Sequence, residues 1–178
     1  MKSGLIALWS VESQIRAHIR VARWWRRRVP VVGKVISLLM DRALLIAYGV
    51  DVVSSSVDVG ALSIGHPGGI LLGGNGIVSP GRVAIMAGVK LVGRSPDHPE
   101  YVRRQRDGRT FIFGDNVVIG ANAVVIGPVT ICDNVIIGAM SLVNRDITEP
   151  GTYVGAPLRR VGECPGDEWV RHLRVRRG

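Results

Sequence analysis

Histidine offers the clearest route to chemistry in this chain, because imidazole gains and loses a proton near neutral pH. One of the four histidines, His66, stands in SIGHPGGILLGG, where the neighbouring glycines and proline exclude helical packing. A histidine in such a turn can accept the proton of an alcohol, so His66 is a candidate general base. The alternative is a surface histidine on a turn, without a chemical role.

A carboxylate beside His66 would keep one ring nitrogen protonated and leave the other nitrogen free as the base. Asp51, in YGVDVVSS, is the first candidate for this role, and Asp58 is a rival. In a fold of stacked coils, a residue most of one coil earlier lies beside its successor, which favours Asp51. The alternative for each aspartate is a solvated turn position without a chemical role.

A repeat of six residues predicts the elements that would position these side chains. Apolar residues recur at this spacing in two runs, and residues two positions earlier in the first run and two positions later in the second are also apolar or small. An α-helix would scatter this set around its cylinder, whereas short strands with a turn every six residues would point it into one core. We therefore predict a mainly β fold, a parallel β-helix of hexapeptide repeats. The two runs are Phe113, Ile119, Val125, Ile131, Ile137 and Val143, and Leu71, Ile77, Val83 and Val89.

The repeat divides the chain into three predicted segments. A short helical N-terminal segment covers residues 1–48, the β-helix covers residues 49–162, and a basic tail covers residues 163–178. Within the β-helix, residues 94–110 break the period with charged residues and two prolines, which predicts an expelled loop. Loops of this kind often carry function in repeat proteins.

The remaining histidines lie outside the repeats. His98, in SPDHPEY of the expelled loop, either closes over a substrate or stays solvated. His18 lies in the helical segment and His172 in the tail, and for both we predict structural or solvated roles.

The helical segment combines arginines with three tryptophans, Trp9, Trp24 and Trp25. Its most apolar stretch contains Lys34, Asp41 and Arg42, so it lacks the ~20 consecutive apolar residues of a spanning helix. Two interpretations stay open. The segment is either a helix pair packed on the β-helix, or a peripheral anchor that uses RWWRRR on an anionic membrane.

The formal net charge of +9 comes from arginines in three separate regions and accompanies no nucleic-acid motif. We therefore expect no nucleic-acid partner. The two cysteines, Cys132 and Cys164, form neither a disulfide framework nor a metal signature. The N-terminus lacks a secretory signal pattern, so we expect a cytoplasmic protein, with membrane association left open.

From Tyr48 to Gly162, the chain resembles the serine acetyltransferases and their hexapeptide-repeat relatives. The resemblance is carried by IGHPGGILL, VAIMAGVKLVG, GDNVVIGANAVVIG, VIIGAMSLV and YVGAPLRRVG. It implies a left-handed parallel β-helix that transfers the acetyl group of acetyl-CoA to a hydroxyl. It also implies a homotrimer with active sites between neighbouring subunits, and leaves pairing of two trimers open.

The resemblance also implies roles for individual residues. His66 matches the general base and Asp51 the aspartate that orients it. The groove that holds CoA is matched by small residues, and a backbone amide near the first of them would support the oxyanion. An arginine after the last coil would bind the CoA phosphates. These residues are Gly93, Ala121 and Ala139 for the groove and Arg159 for the phosphates.

Three departures from the serine enzymes bear on the acceptor. Gly65 stands where they carry an aspartate that grips the amino group of serine, and Thr110 stands where they carry a second histidine. His98 replaces that histidine only if the loop folds back. The helical segment is also short, as in relatives that decorate capsules and exopolysaccharides. We expect a small acceptor, L-serine or a serine-like alcohol, with a sugar hydroxyl of polysaccharide or capsule biosynthesis as the alternative.

Two rival functions belong to other classes. A β-helix carbonic anhydrase would need three histidines around a zinc ion, and only His66 lies within a coil, so we expect no metal. A non-catalytic trimeric scaffold would bind no acetyl-CoA.

Overall fold

The computed structural model describes residues 10–29, 31–164 and 166–175. Trp9 and the other residues of 1–9, Pro30, Pro165 and 176–178 lie outside the described residues, and so do the predictions that rest on them.

Two helices form the N-terminal part of the described chain. Helix α1 covers Val11–Arg28 and α2 covers Val32–Tyr48. Ser10 caps α1, since its side chain accepts a hydrogen bond of 3.2 Å from the amide of Ser13. Helix α2 ends at Gly49, whose φ of 65° is the left-handed conformation that glycine adopts without strain. None of the described helices is both long and apolar enough to cross a bilayer.

The strands after Gly49 form three faces of a prism, named A, B and C. Face A contains β1 (Val50–Val52), β3 (Ile70–Leu72), β5 (Lys90–Gly93), β8 (Val124–Gly127) and β11 (Leu142–Val143), paired in parallel in that order. Two long strands, β2 (Val57–Gly65) and β4 (Ile77–Met86), pass through faces B and C. Face B continues with β6 (Phe111–Phe113) and β9 (Val129–Ile131), and face C with β7 (Val117–Ile119), β10 (Val135–Ile137) and β12 (Gly151–Val154). Strand β13 (Arg159–Gly162) adds to face C in antiparallel orientation.

The predicted apolar repeat fills the inside of this prism. All six residues of the first run and those two positions earlier are buried. The parallel pairing of successive coils, such as Val117 with Val135 and Phe111 with Val129, stacks these rows directly. The prediction of a parallel β-helix from the six-residue spacing is confirmed.

The prediction that the second run of core residues begins at Leu71 was wrong by one position. Ile70 and Leu72 are buried in β3, whereas Leu71 lies on the outer surface, paired with Asp51. Because strand side chains alternate, this shift turns Leu71 away from the core. Ile77, Val83 and Val89 are buried as predicted.

The expelled loop contains a helix that the repeat analysis did not predict. Helix α3 covers Pro99–Arg106, begins with Pro99 in its first turn and is supported by a contact of 3.1 Å between Arg104 and Glu100. Tyr101 is the buried residue of α3. The loop leaves the prism after β5 and returns at β6, so it lies at the edge between faces A and B.

Candidate active site

His66 occupies the turn that joins face C to face A. It follows Gly65, the last residue of β2, and is exposed. Its φ of 52° is left-handed, a conformation that turn residues of the later coils such as Asn122 and Met140 share, so it belongs to the turn geometry of the coils. Gly65 is paired with Met86 of the next coil. His66, which follows Gly65, is therefore at the position that corresponds to Ala87.

A row of small residues continues from His66 along this edge. The amide of Asn122 donates to the carbonyl of Ala87 at 2.8 Å, and the amide of Met140 donates to the carbonyl of Ala121 at 2.9 Å. Since Ile119 pairs with Ile137, Ala121 and Ala139 occupy equivalent positions of successive coils. We call the row of His66, Ala87, Ala121 and Ala139 the C–A edge. Methyl side chains keep its backbone accessible to an extended ligand.

Asp51 lies on face A, beside this edge. It is exposed in the middle of β1, between the buried Val50 and Val52. Within the described residues, no hydrogen bond or ion pair joins it to His66. The rival, Asp58, is bound by helix α1: its carboxylate lies 2.7 Å from Arg23 and 3.8 Å from Arg27.

Gly93 and His98 lie at the other edge of face A, where the loop begins. A Cβ built on Gly93 would be 2.2 Å from the hydroxyl of Tyr101, so that side chain fills the space beside the glycine. The neighbouring amide of Arg94 donates to the carbonyl of Gly127 at 2.8 Å. His98 is half-buried just before α3, and its Nδ1 is buried without a hydrogen-bond partner.

Two further predicted residues lie in different parts of the prism. Thr110 is buried, and its hydroxyl donates to the carbonyl of Asn75 at 2.8 Å, which indicates a structural role. Arg159 is exposed on β13, opposite Val154. Val154 leads into Gly155, whose carbonyl accepts from Leu142, so Arg159 lies close to the C-terminal end of the C–A edge.

One chain therefore gathers only part of the predicted site. His66, Ala121 and Ala139 share the C–A edge, with Asp51 beside it and Arg159 near one end, whereas Gly93 and His98 lie across face A. Ala87 was missed although it lies inside the second run, between Val83 and Val89; the pairing of Gly65 with Met86 is what places it beside His66. Among the described residues, no group of three or more histidines, cysteines or acidic residues lies close enough to hold a metal ion.

Comparison with known proteins agrees with this architecture. The bacterial transferase hexapeptide family (six repeats) matches residues 112–145. The chain is 35% identical over 141 residues to the serine acetyltransferase of Synechococcus elongatus, across 79% of this chain and 52% of that protein. It is 31% identical over 98 residues to the galactoside O-acetyltransferase of Escherichia coli, across 53% of this chain and 44% of that protein.

Among solved structures, the serine acetyltransferase of Neisseria gonorrhoeae superposes with a TM-score of 0.68 at 27% identity, over 84% of this chain and 55% of that one. The chain spans about half the length of the relatives it matches.

These similarities define the prism as a left-handed parallel β-helix of the hexapeptide-repeat transferases, as predicted. Within that group, the chain belongs to the serine acetyltransferase-like hexapeptide-repeat family.

Proposed function

We propose that this protein transfers the acetyl group of acetyl-CoA to the hydroxyl of a small acceptor. The observation that carries the proposal is an exposed histidine with a left-handed backbone at the start of a row of methyl side chains. The row offers a path for the extended pantetheine arm, and the histidine offers a base at its end. The relatives named as acetyltransferases support the same reaction.

In the proposed mechanism, the acceptor oxygen attacks the thioester carbonyl while His66 takes the hydroxyl proton. A rotation of the exposed His66 ring would bring its other nitrogen to Asp51, which would then fix the tautomer. The tetrahedral intermediate then breaks its carbon–sulfur bond, and the imidazolium returns the proton to the leaving thiolate of CoA. The reaction needs no metal ion, and it yields the acetyl ester and free CoA.

A homotrimer would complete this site. Gly93 and His98 lie at the A–B edge, across face A from His66, so a neighbouring subunit packed along this seam would bring the two edges together. In that arrangement Arg159 would bind the CoA phosphates, and the loop after Arg94 would supply the oxyanion amide, because the amide of Arg94 itself is bonded to Gly127. His98 would have to turn its ring, whose Nδ1 is buried in the single chain, to reach the acceptor. Light scattering should give a mass near three times 19.2 kDa. A monomer that still transfers acetyl groups would contradict the shared site.

L-serine or a serine-like alcohol is the first candidate for the acceptor, on the similarity to serine acetyltransferases. One observation favours a sugar hydroxyl as the second candidate. A Cβ built on Gly65 would be 2.9 Å from the sulfur of Met86, so a thioether occupies the space beside the base. An apolar group there cannot bind the ammonium of serine.

The experiment that tests the function is a thiol-release assay with acetyl-CoA. L-serine, a galactoside and other sugars are supplied separately, and free CoA is measured. Release that depends on one acceptor supports acetyl transfer and identifies the acceptor class. A chain that binds acetyl-CoA in calorimetry but releases no thiol with any acceptor would contradict catalysis, and a chain that binds none would favour the scaffold alternative. We also propose a cytoplasmic site of action, where acetyl-CoA is available and the free thiols of Cys132 and Cys164 stay reduced.

A further inference from the structure

The burial of helix α2 is reversed relative to an ordinary amphipathic helix. Its buried positions include the small residues Gly33 and Ser37, with Leu44 as the only buried large side chain. Large aliphatic side chains point outward, each more than half exposed, and Ile46 reaches 86%. We call these residues the outer face of α2: Val31, Val32, Val35, Leu38, Leu39 and Ile46.

Packing against α1 fixes this orientation. Gly33 lies against the backbone of α1, where an added Cβ would be 2.1 Å from the carbonyl oxygen of Trp25. His18 contacts the carbonyl of Met40 through Nε2 at 2.6 Å. Rotation of α2 to bury its leucines would break both contacts, so the exposed apolar face is a consequence of close helix packing.

The carboxylates of these helices are turned inward. Glu12 accepts a hydrogen bond of 2.6 Å from the hydroxyl of Ser63, and Asp41 accepts one of 3.2 Å from the amide of Ser54. They are the only acidic residues of α1 and α2. The outer face of α2 therefore has no acidic neighbour on either helix.

Basic side chains lie on the outer face of α2 and near its N-terminal end. Lys34 and Arg42 are exposed on α2 itself and, at helical spacing, share the stripe of Leu38. Three exposed arginines form the last turn of α1, just before α2 begins: Arg26, Arg27 and Arg28. Aliphatic and cationic side chains together are the pattern of helices that lie in the interface of an anionic bilayer.

This surface differs from the RWWRRR anchor, which was one of the two interpretations that the sequence left open. Arg23 of that motif is used internally, where it donates to the carbonyl of Val57 at 2.7 Å and pairs with Asp58. Trp25 is half-buried and contacts Trp24 edge to face, with ring centroids 5.2 Å apart. Arg27 also lies 3.8 Å from Asp58, so Arg26 and Arg28 are the arginines of the motif that this pairing leaves beside the start of α2.

We propose that the outer face of α2 docks on an anionic lipid surface, with α2 lying in the headgroup region. Its aliphatic side chains would enter the acyl boundary while Lys34, Arg42 and the last arginines of α1 contact lipid phosphates. A second copy of the chain is a poorer occupant, because a two-fold contact through this face would bring Lys34 and Arg42 against their own counterparts. The basic side chains therefore favour an anionic membrane over a second copy of the chain as the occupant of this face.

Vesicle flotation of the full chain tests the docking without acetyl-CoA or acceptor, so its outcome is independent of the proposed function. Vesicles of phosphatidylcholine with about 30% phosphatidylglycerol are compared with pure phosphatidylcholine at low salt. We expect binding to the anionic vesicles alone. Leu39→Gln with Ile46→Gln should weaken that binding by about tenfold or more, because the buried aliphatic area is lost.

The matched control is Val102→Gln with Val161→Gln, which removes two exposed apolar side chains from other parts of the surface. This control should bind vesicles like the unaltered chain. Equal binding by the α2 variant and the control would overturn the proposal, as would no binding of the unaltered chain to anionic vesicles. A loss of oligomer mass in the α2 variant, without vesicle binding by the unaltered chain, would assign the face to a second copy instead.

Discussion

Gly65 and Met86 are neighbours in parallel register, and the sulfur of Met86 lies where a side chain at position 65 would begin, 2.9 Å from an ideal Cβ. The residue before His66 is therefore restricted to glycine as long as Met86 keeps its place. A carboxylate at position 65 would displace the thioether. The proposed base consequently has an apolar neighbour. This neighbour cannot bind the ammonium of serine, so it favours a sugar hydroxyl as the acceptor.

Replacing His66 by alanine should reduce acetyl transfer by about a hundred- to ten-thousand-fold, the range of a lost general base. The CoA dissociation constant should change little, because the imidazole acts on the acceptor proton. Thiol release gives the turnover and calorimetry the affinity. His172→Ala is the matched control, since His172 lies in the tail and its nearest carboxylate, Glu12, is 3.9 Å away. Equal losses in both variants would show a general effect on folding.

Asp51→Asn should lower turnover by about a hundred- to ten-thousand-fold, since Asp51 acts through His66. The CoA dissociation constant should stay unchanged, because the pair acts on the acceptor proton. A merely structural role would lower the melting temperature and leave turnover of the folded chain in place. Asp58→Asn is the comparison: it breaks the contact with Arg23 and should lower the melting temperature without lowering turnover of the folded chain.

Ala139→Leu should weaken CoA binding by about tenfold, or about 1.4 kcal/mol, because a branched side chain would stand in the proposed path of the pantetheine arm. Ala139 is exposed, so the fold should tolerate the larger side chain. Ala43→Leu, at an exposed position of α2, adds the same group away from the C–A edge and should leave the CoA dissociation constant unchanged. Unaltered CoA affinity in Ala139→Leu would place the cofactor elsewhere.

Arg82 connects the coils to the C-terminal tail and should carry a measurable share of stability. Its guanidinium lies 2.6 Å from Asp115 and 2.7 Å from Asp167, whose neighbours Val170 and Leu173 are buried on face C. Arg82→Met should cost about 1–2 kcal/mol, toward the low end because both carboxylates are partly exposed and screened. Arg103→Met, at an exposed arginine of α3 with a carboxylate 4.0 Å away, should cost much less in thermal unfolding.

The same network predicts a pH dependence of stability. The hydrogen bond from Arg82 holds the pKa of the Asp115 carboxyl below its usual value. A lowered native pKa stabilises the fold above the unfolded value of about 3.9, and this stabilisation is lost as the pH falls through the native value. The melting temperature should therefore fall more steeply below about pH 4 in the unaltered chain than in Arg82→Met. Parallel curves would contradict the coupling.

The fold was predictable because the core is periodic. Six-residue spacing from Phe113 to Val143 directly encodes which side chains face inward. The error at Leu71 arose where the turn of residues 66–69 shifts the phase, since spacing alone does not report where a turn gains residues. Helix α3 was missed although Pro99 and the spacing of Glu100 and Arg104 are local helix signals.

The site was less predictable than the fold. The turn containing His66 could be recognised from its glycines, but its left-handed φ depends on the coils on either side. The filling of the space at Gly93 by Tyr101 depends on how the loop folds back, which no local pattern encodes. The outer face of α2 was also missed, because an apolar helix is expected to turn its aliphatic side chains inward, and here the contact of Gly33 with α1 prevents it.

A crystal structure with CoA bound would test the central claim most directly. The proposed site predicts the pantetheine arm along Ala121 and Ala139, with its sulfur within about 4 Å of the ring of His66, near enough for proton transfer once an acceptor is bound. A CoA molecule bound away from the C–A edge, or with its sulfur remote from His66 of every subunit, would contradict the assignment of this histidine as the base.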